Sequence, residues 1–477
     1  MKSPSRVRAV ILAYGSTFAS ILRGLVTAAV LTKLLCLSDY GIWVQYSAAN
    51  VLFVTILSLN LGHAFLRFSA ASTKAERTNL LFAVLGVQTT LTIISFVLAI
   101  FSSSAVSELL FGVRDSSLLF LLFASTLLTL TTSQWTNNLF ADQRASLAYG
   151  LNLAAALLAT SFAVGGALLL HTVVGSVLGL VLAQGSMLLI QMWVQRSEVL
   201  YFVLPSFRKL LPLLRYTYPL FIVQIGSWVL FASDRFFLVR YFGPETAGRY
   251  GLVYSIASMT QLLISSILSM FFASVVRLYE DGHTVQLRQA FSRTIRLYWV
   301  GGLAFVCGAS ASSTAVIQLL GTREYLFETL PWVMALVGMG SFLVGIYQVI
   351  SRTYDLAKKT LRLAAIWAVA LLLNLALNAA LIPHWGMMGA AIVTVISYLF
   401  AITLATLLRP RLNVFDLPLP KMLFHAILSL SGALLLAGSS SIAAALLLGT
   451  LMALASVVVA FALGIVPLRG LRAWLAA

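Results

Sequence analysis

One permanent charge stands inside the first long apolar run of the sequence. The run extends from Ala9 to Leu35, is long enough to cross a bilayer, and holds Arg23 just past its middle. An arginine near the centre of a membrane helix costs about 2.5 to 3.5 kcal/mol on insertion scales, so such residues usually face a protein interior or a water-filled cavity. We therefore expect Arg23 to face either a partner residue or a hydrated pathway.

Polar side chains recur at helical spacing in several apolar runs. Positions three, four or seven residues apart share one helix face. This spacing joins four sets: Ser16, Ser20, Arg23 and Thr27; Trp43, Ser47 and Asn50; Thr217, Gln224, Ser227 and Asp234; and Tyr250, Tyr254, Ser258, Gln261 and Ser265. Another run reads TLTTSQWTNN from Thr129 to Asn138. Such groups could bind sugars in a hydrated vestibule, or they could mediate helix packing, in which Ser and Thr are common. We favour the vestibule because the stripes occur in both halves of the chain.

Two interpretations of Arg23 stay open. A helical rise of 1.5 Å per residue puts it about 20 Å from Ala9, so it could meet Asp234 on a facing helix and form a structural pair. Alternatively, Arg23 faces the vestibule and binds a ligand. The residues that we expect to line a substrate pathway are Ser20, Arg23, Thr27, Trp43, Asn50, Gln224, Asp234, Arg235, Tyr250, Tyr254 and Gln261.

The elements that must position these residues are membrane helices. The 477 residues are 60% hydrophobic and 9% charged, with a mean hydropathy of +0.98, which excludes a soluble globule. We predict an all-α polytopic membrane protein with about fourteen transmembrane helices. The spans lie near 9–31, 41–62, 78–101, 117–139, 146–170, 173–194, 214–239, 249–272, 294–318, 330–351, 362–382, 386–408, 421–438 and 441–465. The first run lacks a small-residue cleavage site, so we expect a retained helix.

Positive charges give the predicted orientation. If the N-terminus is cytoplasmic, the inner segments hold 24 of the 31 Lys and Arg residues, which predicts cytoplasmic N- and C-termini. The net charge of +17 is then a topology signal spread over many juxtamembrane segments, and we expect no nucleic-acid partner.

The sequence lacks the motifs of common catalytic sites. It contains no GxxxxGK[ST], GxSxG or HExxH motif, its five histidines are scattered singly, and its outer loops are short. Cys36 and Cys307 fit neither a disulfide framework nor a metal site. We therefore expect no enzyme activity, no catalytic residues, no cofactor and no metal.

Internal repetition predicts the domain organisation. The segment LLCLSDYGIWVQYSAANVLFVTILSLNLG from Leu34 is echoed by VRYFGPETAGRYGLVYSIASMTQLLISSILS from Val239, and FADQRASLAYGLNLAAALLAT from Phe140 by TYDLAKKTLRLAAIWAVALLLNLALN from Thr353. Both echoes indicate a six-helix unit used twice, in parallel orientation because six is even. We predict an N-lobe over 1–200, a C-lobe over 201–410, and a C-terminal helix pair over 411–477.

Four segments carry a family resemblance: LSDYGIWVQYSA, FGPETAGRYGLVYSIAS, VVRLYEDG from Val275 and LIPHWGMMGAAIVTVISYL from Leu381. Through them the chain resembles Wzx-type polysaccharide or O-antigen flippases of the multidrug/oligosaccharidyl-lipid/polysaccharide (MOP) exporter superfamily. The resemblance implies a transporter of the bacterial inner membrane that flips undecaprenyl-diphosphate-linked oligosaccharides by alternating access, for lipopolysaccharide, capsule or exopolysaccharide assembly.

The resemblance also implies partners and alternatives. Its partners would be the lipid-linked oligosaccharide, membrane lipids, and a polysaccharide polymerase or chain-length regulator. The diphosphate of such a substrate needs cations, which Arg23 and the nearby Arg235 could supply. An ion-coupled multidrug-type exporter is the first alternative. It would be expected to hold carboxylates inside the membrane, and Asp234, near the outer end of its predicted span, is the residue that comes closest. An inactive membrane scaffold of an envelope polysaccharide pathway is the second.

Overall fold

The fold is built from helices. The computed structural model describes residues 4–69, 72–200, 210–410, 415–437 and 441–466, and every regular element in these ranges is helical. The α-helices are α1 Pro4–Leu34, α2 Leu37–Ser58, α3 Leu61–Ser69, α4 Lys74–Ile100, α5 Ser103–Phe111, α6 Ser116–Ala141, α7 Ala145–Leu170, α8 Val173–Val194, α9 Arg196–Leu200, α10 Leu210–Ala257, α11 Thr260–Glu280, α12 Thr284–Ala311, α13 Ser313–Leu320, α14 Leu330–Leu356, α15 Thr360–Leu407, α16 Leu419–Leu436 and α17 Ile442–Ala462. A 3₁₀ turn, Arg323–Tyr325, precedes α14.

This architecture confirms the predicted all-α polytopic membrane fold. Within the described ranges, eleven helices are long and apolar enough to cross a membrane. Helices satisfy their own backbone hydrogen bonds, which hydrocarbon cannot do, and this is why apolar runs of this length become helical.

Two of the eleven helices contain a backbone break. Helices α10 and α15 each comprise 48 residues, which would extend about 72 Å if straight, more than twice the hydrocarbon thickness. Gly243 (φ 82°, ψ 171°) interrupts α10, and Gly386 (φ 51°, ψ −130°) interrupts α15. Both conformations favour glycine. The breaks fall where the sequence predicts one span to end and the next to begin.

By its internal packing the chain divides into two compact units, Met1–Gly248 and Arg249–Ala477. Most of α10 belongs to the first unit: the Trp228 indole Nε1–H donates to the Ala48 carbonyl of α2 at 3.2 Å, and Leu210 and Leu213 join a core cluster that includes Phe65 of α3. The packing boundary therefore lies later in the chain than the predicted lobe boundary at residue 200, which borders residues 201–209, outside the described ranges.

The order of elements repeats in the two units. Each contains a long, a short and another long helix, α4–α5–α6 in the first and α12–α13–α14 in the second. The turn that follows has a left-handed residue in both cases, Gln143 (φ 58°) and Lys358 (φ 55°). The next turn also contains a left-handed residue in each unit, His171 (φ 50°) and Gly386 (φ 51°). The number of residues between the first and the second left-handed residue is the same in both units. The structure thus carries the repetition that the sequence echoes predict.

The C-terminal helices pack on the second unit. Trp299 of α12 donates its indole N–H to Nδ1 of His425 in α16 at 3.2 Å, and Nε2 of the same ring lies 2.7 Å from the Ser456 carbonyl of α17. Helices α12 and α17 also approach closely at Gly308 and Gly449, where a Cβ on Gly308 would lie 3.0 Å from the Gly449 carbonyl oxygen. Small residues permit such approaches in membranes. His425 therefore joins three helices.

Candidate functional site

The predicted stripe on α1 divides between packing and exposure. Thr27 is buried and its hydroxyl donates a long hydrogen bond, 3.5 Å, to the Thr160 hydroxyl of α7. Arg23, one turn earlier on α1, is exposed. The Ser20 side chain lies outside the described part of the chain. The stripe is therefore not one uniform surface: Thr27 contributes to packing on α7, whereas Arg23 presents a cation on a helix that is otherwise mainly apolar.

Asp234 and Arg235 are both buried in α10. A carboxylate oxygen of Asp234 accepts the backbone N–H of Arg235 at 2.9 Å, and the Arg235 guanidinium lies 5.5 Å from the ring centroid of Phe231. None of the ion pairs that join described residues includes Arg23. This structure therefore gives no pair between Arg23 and Asp234, and their pairing stays a prediction.

On α2, Trp43 and Asn50 contact neighbours within the first unit. Trp43 is half-buried and packs against an apolar cluster that includes Tyr46 and Leu119. The Asn50 side-chain amide donates to the Ser125 hydroxyl of α6 at 3.1 Å and to the Thr126 hydroxyl at 3.3 Å. Both hydroxyls are completely buried. Asn50 thus cross-links two helices.

A polar seam between α6 and α8 accounts for part of the TLTTSQWTNN run. The seam consists of three side-chain hydrogen bonds, Gln184 to Thr129 at 3.1 Å, Gln191 to Thr136 at 2.9 Å, and Asn138 to Gln195 at 2.9 Å. For these residues the packing interpretation applies. Sequence reasoning missed the glutamines, although their spacing on one face of an apolar helix is a usable signal.

The remaining predicted residues differ in exposure. Gln224 is half-buried, and its buried carbonyl oxygen has no hydrogen-bond partner among the described residues. Tyr250 and Tyr254 are buried, with ring centroids 6.1 Å apart. Gln261 is half-buried near the start of α11. Of this set, Gln224 and Gln261 retain partly accessible side chains, whereas both tyrosine rings are covered.

Carboxylates near the ends of the spans contact arginines. Arg77 at the start of α4 pairs with Asp142 after α6 at 2.9 Å, and Arg352 pairs with Asp355 at the end of α14 at 3.0 Å. Within the described ranges, no group of three or more His, Cys, Asp or Glu side chains could hold a metal ion. The cations, amides and hydroxyls of this arrangement can bind a ligand noncovalently.

A family model described as polysaccharide biosynthesis protein matches residues 7–272. The chain belongs to this polysaccharide biosynthesis family. The matched residues extend from α1 into α11 and include every residue predicted for the pathway. No curated protein sequence matches the chain.

Solved structures of MOP-superfamily proteins share the fold of this family member. The lipid II flippase MurJ, in an inward closed conformation, gives a TM-score of 0.75 at 14% identity and covers 95% of this chain and 99% of its own. An inward-facing multidrug resistance MATE family transporter of the MOP superfamily gives a TM-score of 0.62 at 15% identity, and the match covers 81% of this chain and 93% of the transporter. The MATE transporter DinF-BH in complex with R6G gives a TM-score of 0.62 at 17% identity, and the match covers 85% of this chain and 95% of that transporter. The family match confirms the predicted resemblance to polysaccharide biosynthesis proteins, and these structures show the fold that the chain shares with them.

Proposed function

We propose that this polysaccharide biosynthesis family member flips undecaprenyl-diphosphate-linked oligosaccharide repeat units across the bacterial inner membrane by alternating access. The family match supports a role in making polysaccharide, and the fold shared with a flippase and with multidrug transporters supports transport. The flipped units would serve the assembly of O-antigen, capsule or exopolysaccharide.

The exposed side chain of Arg23 is the observation that carries this proposal. Arg23 lies in α1 with apolar residues before and after it, and its side chain is exposed. An exposed cation at this depth is costly unless water or an anion solvates it. A guanidinium binds phosphate oxygens with two parallel hydrogen bonds, and such charge-assisted bonds are strong. A diphosphate is therefore a chemically suitable ligand for Arg23.

The distribution of carboxylates disfavours a cationic substrate. Asp142 and Asp355 lie at helix ends and are paired with arginines. Asp234 lies inside α10, but it is buried and its carboxylate accepts a backbone N–H. An anionic ligand suits such a distribution of charge better than a cationic one does.

The full proposal includes a pathway and an orientation. The pathway residues are Ser20, Arg23, Thr27, Trp43, Asn50, Gln224, Asp234, Arg235, Tyr250, Tyr254 and Gln261, with Thr27 and Asn50 acting partly through packing. Both termini, which lie outside the described ranges, are cytoplasmic. The lobes are 1–200 and 201–410, and 411–477 is an added helix pair. A polymerase or chain-length regulator is the proposed protein partner.

A multidrug-type exporter is the second candidate. The observation that favours it is Asp234, a carboxylate buried in a membrane helix, since carboxylates in spans bind ions and protons in transporters. The likeness to MATE transporters also fits this candidate.

Deletion of the gene in its host separates these functions. We expect loss of one surface polysaccharide, while the lipid-linked repeat unit is still synthesised and accumulates on the cytoplasmic side. Loss of the repeat unit itself would indicate an enzyme instead. Normal polysaccharide with increased accumulation of cationic drugs would indicate the exporter, and a plasmid copy of the gene should reverse the phenotype.

A further inference from the structure

A basic cavity lies within the second unit, and none of the residues that line it belongs to the set proposed for the pathway. Its volume is about 740 Å³, and it lies between the last turns of α11 and the first turns of α12. Three arginines of α12 line it, Arg288, Arg293 and Arg296, and Asp416 lines it from the segment before α16. The charge asymmetry of the sequence predicts that this end of both helices is cytoplasmic.

Two hydrogen bonds join the Asp416 backbone to α12. The Asp416 N–H donates to the Ser292 hydroxyl at 2.8 Å, and Nη2 of Arg296 donates to the Asp416 carbonyl at 2.6 Å. The Nε–H of Arg296 is buried and has no hydrogen-bond partner among the described residues. These bonds hold Asp416 against α12, and Arg296 retains one donor without an acceptor among the described residues. A buried donor without an acceptor is unfavourable.

The charged residues that line the cavity are mainly positive. Arg293 and Arg296 are three residues apart on α12, where like charges repel, and Asp416 supplies one carboxylate against three guanidinium groups. Val285 and Gln286, in the first turn of α12, also line the cavity. The positive end of the helix dipole therefore adds to the field, and the N-cap residue His283 makes no side-chain cap. A bound anion would offset this repulsion.

We propose that this cavity binds the phosphate of an anionic phospholipid headgroup. Guanidinium groups bind phosphate oxygens strongly, and basic pockets between membrane helices on the cytoplasmic side suit anionic headgroups. Two apolar residues of the wall, Leu278 and Val285, fit a ligand with an apolar part. A soluble phosphate ester would share the same headgroup chemistry. The proposal does not depend on which substrate the protein transports.

Photo-cross-linking locates the ligand. The full-length protein would be placed in phosphatidylcholine vesicles that contain a photoactivatable phosphatidylglycerol, and cross-linked peptides would be mapped by mass spectrometry. We expect labelling of residues 274–296, and competition by unlabelled phosphatidylglycerol but not by phosphatidylcholine. The double variant Arg288→Gln/Arg293→Gln should reduce labelling about tenfold or more, since the loss of one charged hydrogen bond weakens binding by a factor of this order. It leaves the bond between Arg296 and Asp416 intact.

The matched control removes two cations outside the cavity. Arg277 and Arg362 are exposed and belong to segments predicted to be cytoplasmic, but they do not line the cavity. We expect Arg277→Gln/Arg362→Gln to change labelling by less than about twofold. Equal losses in the two double variants would overturn the site, because labelling would then follow total charge. Complete displacement by millimolar inorganic phosphate would overturn the lipid assignment in favour of a soluble phosphate ester. A melting temperature equal to that of the wild type in the double variant would confirm that it folds.

Discussion

The amide of Asn50 and the hydroxyl of Ser125 form a hydrogen bond of 3.1 Å that joins α2 to α6. If this bond is structural, Asn50→Ala should lower the free energy of unfolding by about 1 to 2 kcal/mol. The substitution removes the amide donor and leaves the buried Ser125 hydroxyl without this hydrogen bond. Ser125→Ala should have a similar effect. The measurement is thermal unfolding of the purified protein in detergent, together with the level of surface polysaccharide.

Ser47→Ala is the matched control for Asn50. Ser47 lies one turn away on α2, and its hydroxyl donates to the carbonyl of Trp43 within the same helix at 2.9 Å. We expect Ser47→Ala to change the free energy of unfolding by less than about 0.5 kcal/mol. If Asn50→Ala leaves the melting temperature unchanged and abolishes the polysaccharide, the amide binds substrate and its role in packing is secondary.

Periodicity in the sequence predicts where polar faces lie but not what they contact. Thr27, Asn50 and Thr136 all fit a polar stripe, and each bonds to a hydroxyl or an amide of a neighbouring helix. Arg23, on the same stripe as Thr27, is exposed. The partner of each face depends on which helices become neighbours, and this is set by tertiary packing rather than by local spacing. Hydrophobic length, by contrast, is a local property, which is why the eleven long apolar helices overlap predicted spans.

The ends and interruptions of helices also separate what local sequence predicts from what tertiary contacts decide. The break at Gly386 separates two segments that the sequence predicts as separate spans, since Pro383 and Gly386 lie together at a turn. The short helices α5 and α13 were not predicted, because their eight or nine residues are too few to form a clear periodic signal. The C-terminal pair was predicted from hydropathy alone, whereas its attachment through His425 requires the three-dimensional contact with Trp299.

Equivalent turns in the two units give a paired prediction about stability. Gly386 has φ 51° and ψ −130°, a region open mainly to glycine, so Gly386→Ala should cost about 1 to 2 kcal/mol or more. His171 has φ 50° and ψ 30°, where glycine is unstrained. His171→Gly should therefore change stability by about 0.5 kcal/mol or less, since relief of strain offsets the added freedom of the unfolded chain.

Thermal unfolding of both turn variants in the same detergent tests this pair. The Gly386→Ala protein should melt clearly below the wild type, and His171→Gly should melt close to it. Equal melting temperatures for all three proteins would show that the left-handed conformation at residue 386 is not required.

Cysteine labelling tests the orientation in the membrane. Arg362 in the first turn of α15 is predicted to be cytoplasmic and Arg114 before α6 to be periplasmic, and both are exposed. In a background with Cys36 and Cys307 replaced, a membrane-impermeant maleimide added to intact spheroplasts should label Arg114→Cys and leave Arg362→Cys unlabelled. Lys358 is less suitable because its φ of 55° would strain a cysteine.

Permeabilised membranes provide the control for this labelling, because both cysteines should then react. Efficient labelling of Arg362→Cys in sealed spheroplasts would contradict the fourteen-span orientation with cytoplasmic termini. It would also move the basic cavity of α12 to the opposite side of the membrane.

Arg23 gives the sharpest test of the proposed transport. Its side chain is exposed on α1, so the Arg23→Ala protein should insert and accumulate like the wild type. The rate of flipping should fall about tenfold to a hundredfold, which is the range expected when a charged hydrogen bond to phosphate is lost. Arg23→Lys keeps the charge but not the planar fork, and should recover part of the activity. Lys33→Ala removes an exposed cation near the end of the same helix and should flip normally. Flipping is measured as surface polysaccharide at matched protein levels.

The double variant Arg23→Ala/Asp234→Ala separates substrate binding from a structural pair formed in another conformation. If Arg23 pairs with Asp234, each single variant leaves one charge without its partner, and the double variant should regain the lost activity. If Arg23 binds the diphosphate, the double variant should remain as inactive as Arg23→Ala, because the cation is still missing. Normal flipping by Arg23→Ala alone would contradict both interpretations and would mean that the guanidinium only extends toward the membrane interface.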